Sequence, residues 1–163
     1  MALVPEPEDE LEGLKIRVSE VMTPNIISVE PSVSVVDVAE MMDKYGIGSV
    51  LVRANEKIVG IITERDIIKR CVAKIRDRLP RDVSAEEIMT KDLITISGDA
   101  DIFEAAKMMS EYDIRRLVVV DNSGRPIGII SMKDILREAP HIWFILSERL
   151  RLAKSPRGTL GLI

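Results

Sequence analysis

Two stretches of the chain repeat one order of apolar and polar positions. Ile26-Ile27-Ser28-Val29 is a short apolar run closed by the turn signal Glu30-Pro31, and Leu93-Ile94-Thr95-Ile96 is closed the same way by Ser97-Gly98. A helical pattern follows each run. Val35, Val36, Val38, Ala39, Met41 and Met42 make a broad apolar face behind Ser32 or Ser34 as N-cap; Ile102, Phe103, Ala105, Ala106, Met108 and Met109 do so behind Asp99 or Asp101. Next come two β-rich runs, Ser49 to Val52 and Ile58 to Ile62, joined through Ala54-Asn55-Glu56. Their counterparts begin at Leu117 to Val120 and turn through Asp121-Asn122-Ser123-Gly124. A second helix opens at Thr63 and at Ser131. The predicted unit is β-α-β-β-α, used twice, and the predicted fold class is α+β.

Sliding the chain against itself confirms the duplication. Met22 to Lys69 aligns with Met89 to Arg137 at an offset of about 67 residues, with one residue inserted near Gly124 in the later copy. Identical pairs include Met22/Met89, Thr23/Thr90, Met42/Met109, Tyr45/Tyr112, Ile47/Ile114, Gly60/Gly128, Ile62/Ile130 and Asp66/Asp134. Units of roughly 50 to 60 residues bury little surface alone. Pairing the copies face to face, as one pseudo-two-fold module, is the expected remedy. The chain divides into an acidic flexible tail (1–15), repeat one (16–75), a linker (76–82), repeat two (83–139) and a C-terminal helix and tail (140–163). In that last segment Ile142, Trp143, Ile145, Leu146, Leu150 and Leu152 recur at helical spacing beside Arg149, Arg151 and Lys154, a face that needs a partner.

Composition narrows the chemistry. The 163 residues are 46% hydrophobic and 31% charged, which excludes a disordered or collagenous chain. No apolar run approaches the roughly 18 residues of a membrane span, and the opening MALVPEPEDE lacks a basic or apolar leader pattern, so a cytoplasmic location is expected. One cysteine, Cys71, and one histidine, His141, cannot make a disulfide or a Cys/His zinc centre. No metal is expected. The net charge of −4 argues against broad nucleic-acid binding, and an anionic ligand must find its positive charge locally. Absent glutamine, scarce asparagine and abundant Val, Ile, Arg and Glu fit a heat-adapted source. The methionine pairs read as gap-filling core rather than a soft-metal site.

The most specific feature is Gly60-Ile61-Ile62-Thr63-Glu64-Arg65-Asp66, echoed by Gly128-Ile129-Ile130-Ser131-Met132-Lys133-Asp134. A hydroxyl followed three residues later by an acid is a capping box, which by itself accounts for both residues. The same junction suits a nucleotide: the aspartate can accept both hydroxyls of a ribose, while Thr63 or Ser131, with Arg65 or Lys133, serves phosphates. Both readings stand on the spacing.

With Val21-Met22-Thr23-Pro24, Ile88-Met89-Thr90-Lys91 and the run Ile114-Arg115-Arg116-Leu117-Val118-Val119-Val120-Asp121, these motifs resemble the paired cystathionine β-synthase (CBS) domains, or Bateman modules, over about Lys15 to Arg137. The resemblance implies two pseudo-symmetric clefts that take AMP, ADP or ATP, or in some members S-adenosylmethionine, and a homodimer. It assigns Asp66 and Asp134 to ribose, and Thr63, Ser131 and Arg116 to phosphate. Thr23, Asn25, Ile26, Thr90 and Leu93 fall in the segments that read the adenine, with Ile47 and Ile114 as walls. Gly48-Ser49 stands in copy one where Arg115-Arg116 stands in copy two, so the two clefts are expected to differ in affinity, the one holding Asp134 being the stronger. The function expected is a regulatory ligand sensor acting on its own dimer or on an effector protein. No catalytic residues and no cofactor are expected, because the paired polar groups are already assigned to ribose and phosphate. A structural interaction protein with capping boxes only is the alternative.

Overall fold

The computed structural model describes residues 15–144 and 147. The acidic segment before Lys15, and most of the C-terminal apolar positions, lie outside the described residues. Copy one contains β1 (Ser28–Val29), α2 (Val35–Tyr45), β2 (Ser49–Ala54), β3 (Lys57–Thr63) and α3, whose first turn (Glu64–Asp66) continues as a π-helix over Ile67–Val72. Copy two contains β4 (Thr95–Ser97), α5 (Ile102–Glu111), β5 (Arg116–Val120), β6 (Pro126–Ser131) and α6 (Met132–Arg137). A one-turn helix precedes each copy: α1 (Val18–Val21) and α4 (Ala85–Ile88). The fold is α+β with two small sheets, β1-β2-β3 and β4-β5-β6, each a parallel pair followed by an antiparallel hairpin.

Local chemistry accounts for the element ends. Ser34 caps α2 by accepting the Asp37 N–H at 3.1 Å, and Gly46 ends it with a left-handed φ of 62°. Asp101 caps α5 through the Phe103 N–H at 2.8 Å. The β2–β3 hairpin turns on Asn55 and Glu56, both at positive φ, as a two-residue turn matched to strand twist requires. Helix α2 buries Val35, Val38 and Met42, and α5 buries Ile102, Ala105 and Met109. Cys71 is buried in the core of copy one, where burial pushes its thiol pKa up and leaves a small hydrophobe.

The leading helices are exchanged between the copies. Val18 is fully buried in the copy-two core, with Ile16, Val21 and Met22 against it; Ala85 and Ile88, with Met89, complete the copy-one core. Backbone pairs lock each exchange. Thr23 and Ile129 trade both hydrogen bonds at 2.9 and 3.0 Å, and Thr90 and Ile61 do so at 2.8 and 3.0 Å. The segment 16–23, at the head of the expected repeat one, therefore belongs to the core of copy two. Two strand glycines admit these arms: a Cβ on Gly128 would lie 2.8 Å from the Thr23 carbonyl oxygen, and one on Gly60 would meet the Met89 side chain at 2.5 Å.

The α4 arm is held by a charged clip as well. Glu87 accepts from the Ser84 N–H at 2.8 Å and from Arg78 at 2.8 Å, and these bonds, the Arg78 one first, hold its carboxyl at a pKa of about 2.

Two outcomes are expected. Gly128→Ala should destabilise by about 1–3 kcal/mol, since the Thr23 carbonyl, which cannot swing aside, meets the new methyl as well as the Met22 side chain, and urea unfolding measures it. The Glu87 carboxyl titrates lower in the folded chain than its ordinary value of 4.5. Its contribution is thus complete above pH 4.5 and is lost as pH falls toward 2. Melting temperature should drop across that window, and Glu87→Gln should flatten that part of the profile.

Candidate functional site

Helices α2, α3 and α6 and the starts of β2 and β5 enclose a cleft of about 900 Å³ between the copies. Copy one supplies Thr23, Asn25, Ile27, Met42, Asp43, Ile47, Gly48, Ser49 and Glu64; copy two supplies Arg116, Ile129, Ser131, Lys133, Asp134 and Arg137. The lining combines apolar Ile27, Met42 and Ile47 with the cations Arg116, Lys133 and Arg137, a mixture that suits a ligand with one apolar ring and one anionic end.

Asp134 shows how the capping and binding readings coexist. Its Oδ2 accepts the Ser131 N–H at 2.8 Å and the Ser131 hydroxyl at 2.7 Å, and its own N–H returns to Ser131 Oγ at 3.3 Å, closing the capping box. Among the described residues the other oxygen, Oδ1, faces the exposed Arg137 guanidinium alone, at 3.6 Å. One oxygen thus holds the helix start and leaves its twin to accept hydroxyls. The backbone at this junction is largely spoken for: the Met132 N–H donates to the Arg115 carbonyl at 2.9 Å, and those of Ser131 and Asp134 are used in the box. Anion affinity here must therefore come from side-chain cations.

Arg116 is the cation placed deepest. It lies across Gly48, occupying the space a Cβ there would need, and pairs with Glu64 Oε2 at 3.4 Å. Copy two thus reaches into a wall built by copy one, and glycine at 48 makes the reach possible.

Asp66 is saturated by comparison. Its Oδ2 accepts the Thr63 N–H at 2.9 Å and hydroxyl at 2.7 Å, as in copy two, but its Oδ1 also accepts the Thr90 hydroxyl at 3.3 Å and meets Arg70 Nε at 3.5 Å. Arg70 further donates to the carbonyls of Ile88 and Met89, at 3.1 and 2.8 Å.

A family model described as CBS domain matches residues 18–73 and 85–141. The chain belongs to the CBS domain family. Similar proteins include an uncharacterised protein of Methanopyrus kandleri, MK0525, 36% identical over 83% of this chain and 69% of its own length. An inosine-5'-monophosphate dehydrogenase of Korarchaeum cryptofilum is 35% identical over 78% of this chain but only 25% of its own length. Among solved structures, the CBS domain pair of protein MJ0100 in complex with 5'-methylthioadenosine and S-adenosyl-L-methionine superimposes with a TM-score of 0.68 at 30% identity, covering 78% of this chain and 98% of that one. The CBS domain protein TA0289 of Thermoplasma acidophilum gives 0.70 at 29%, covering 83% and 77%.

The CBS pair brings together seven of the residues singled out by motif: Thr23, Asn25, Ile47, Arg116, Ser131, Lys133 and Asp134 line the large cleft. Thr63, Asp66 and Thr90 meet one another on the opposite side. Others go elsewhere. Ile27 rather than Ile26 faces the cleft, because side chains alternate along the entering strand. Ile114 packs on the copy-two core, Arg115 is exposed outside the cleft, and Leu93 is half-buried away from it. Arg65 reaches across to Asp113, at 3.6 Å, instead of toward the cleft. Asp43, Glu64 and Arg137 were not singled out; Glu64 stands inside the motif beside Thr63, and Arg137 follows Asp134 by three residues, where α-helical spacing could have pointed to it.

Stability should report the unequal aspartates. Asp66→Ala is expected to cost about 1–3 kcal/mol, since beyond the capping box that both aspartates close it also loses the Thr90 and Arg70 contacts, against about 0.5–2 kcal/mol for Asp134→Ala, which loses the box alone. Equal losses in urea titrations would show that the Thr90 and Arg70 contacts contribute nothing.

Proposed function

We propose that this CBS pair is a regulatory, ligand-sensing module that binds AMP, ADP or ATP in the cleft holding Asp134 and passes the ligand state to a second copy of itself or to an effector protein. One observation carries the reading: Asp134 is locked by its Oδ2 and leaves its Oδ1 at the wall of a cleft that also holds Arg116, Lys133 and Arg137. The ribose hydroxyls donate to Oδ1, and the phosphates meet the three cations. Adenine rests against Ile27 and Ile47. Among the described residues no helix is long and apolar enough to cross a membrane, which is compatible with a ligand met in the cytoplasm.

Ligand binding reaches the rest of the molecule through Arg116. A phosphate that engages this guanidinium competes with Glu64, which stands on α3 of the other copy. The ligand thereby shifts the balance between two arrangements of the copies, by as much as its affinity for them differs.

S-adenosylmethionine is the second reading, favoured by the adenosine compounds bound to the MJ0100 pair and by Asp43 and Glu64, which would attract a sulfonium. Charge separates the two. Titration calorimetry with AMP, ADP, ATP and S-adenosylmethionine, on protein freed of carried-over nucleotide, should give micromolar binding, about −8 kcal/mol, for a nucleotide. Arg116→Ala should weaken ATP at least roughly tenfold and leave S-adenosylmethionine unaffected. Asp134→Ala should abolish either. Heat for S-adenosylmethionine alone would move the assignment to the second reading, and silence for all four would reject both.

A further inference from the structure

The pseudo-two-fold axis should make two clefts of one, and the side chains undo that equivalence at one position. Four residues after its ribose-type aspartate, copy one carries Arg70 and copy two carries Glu138. Arg70 stands in the π-helical stretch of α3, a winding that α6 does not share. From there it spans the Asp66 side of the module: Nε lies 3.5 Å from Asp66 Oδ1, and Nη1 donates to the carbonyls of Ile88 and Met89 on the exchanged arm. The Thr90 hydroxyl takes the same Oδ1. On the other side, among the described residues, no arginine bonds the carbonyls of Val21 and Met22, the equivalents of Ile88 and Met89, and the Thr23 hydroxyl is not bonded to Asp134. The carboxylate oxygen that a ribose would need is thus met in one copy by a hydroxyl and a carbonyl-anchored guanidinium, and in the other, among the described residues, by the exposed Arg137 guanidinium alone, at 3.6 Å.

We infer that Arg70 is a latch that keeps the Asp66 side closed to ligand, so that each chain takes one adenosine ligand instead of two. The inference rests on reading the Asp134 cleft as an adenosine site. A ligand entering at Asp66 must first displace a hydroxyl and a guanidinium that is itself anchored to two carbonyls. Its apparent affinity falls by the fraction of molecules in which the latch is open. Glutamate at 138 cannot reproduce the latch, because it would repel Asp134 rather than bridge it.

The test is the stoichiometry of AMP binding to the full chain by titration calorimetry, with wild type, Arg70→Ala and Arg70→Met, the last retaining the aliphatic stem should the first unfold. Wild type should bind one AMP per chain. Both variants should bind two, the second site tightening at least roughly tenfold over its wild-type level, and Asp66→Ala added to Arg70→Met should return the count to one. One AMP per chain in wild type and in a folded Arg70 variant alike would overturn the latch and leave the Asp134 reading standing. Two per chain in wild type would also overturn it. If wild type is silent to AMP, AMP is excluded as the ligand of the Asp134 cleft. Binding by an Arg70 variant that Asp66→Ala abolishes would then still support the latch, and silence there as well would end it.

Discussion

Everything in this structure depends on the exchange of the two leading arms. Neither copy closes its own core: Val18 fills a place among Ile96, Ile102 and Ile130, and Ile88 one among Val35, Val50 and Ile62. Each arm is then sewn to a strand by a reciprocal pair of backbone hydrogen bonds, at Thr23/Ile129 and Thr90/Ile61. Repeats this small bury too little apolar surface alone. Exchange makes the deficit of each copy the fastening of the other, so that the pair folds as one module.

The arms also place the site. The residues after α1 run from Thr23 past Asn25 to Ile27 along the mouth of the cleft, carrying copy-one side chains to the Asp134 of copy two. Gly128 lets that strand approach, and Gly48 leaves room for Arg116 to cross in the other direction. The cleft is thus assembled from both copies, so its shape depends on their relative position.

A capping aspartate has two oxygens, and the two copies use the second one differently. In both, Oδ2 closes the capping box on Thr63 or Ser131. The cap holds each carboxylate in one orientation without occupying its second oxygen. What meets the remaining oxygen differs: Thr90 and Arg70 engage that of Asp66, while among the described residues the exposed Arg137 alone approaches that of Asp134.

The repeat, its β-α-β-β-α order and the capping boxes were legible in the sequence, and the helix caps were narrowed to Ser32 or Ser34 and to Asp99 or Asp101, because each follows from contacts within a few residues or from periodicity that burial imposes. Likewise the motif aspartates could be named, and the difference of Gly48 from Arg115 could be seen. Long-range geometry decided the rest. That Val18 belongs to the far core, that Ile27 and not Ile26 faces the cleft, that Arg65 turns to Asp113, and that Arg70 ties Asp66 to an arm about twenty residues away all depend on how the copies dock. Sequence by itself determined two similar units, each with an aspartate fit for a ribose. Tertiary structure decided that those aspartates are unequal, because a carboxylate's free oxygen is set by side chains that meet only once the two copies are packed together.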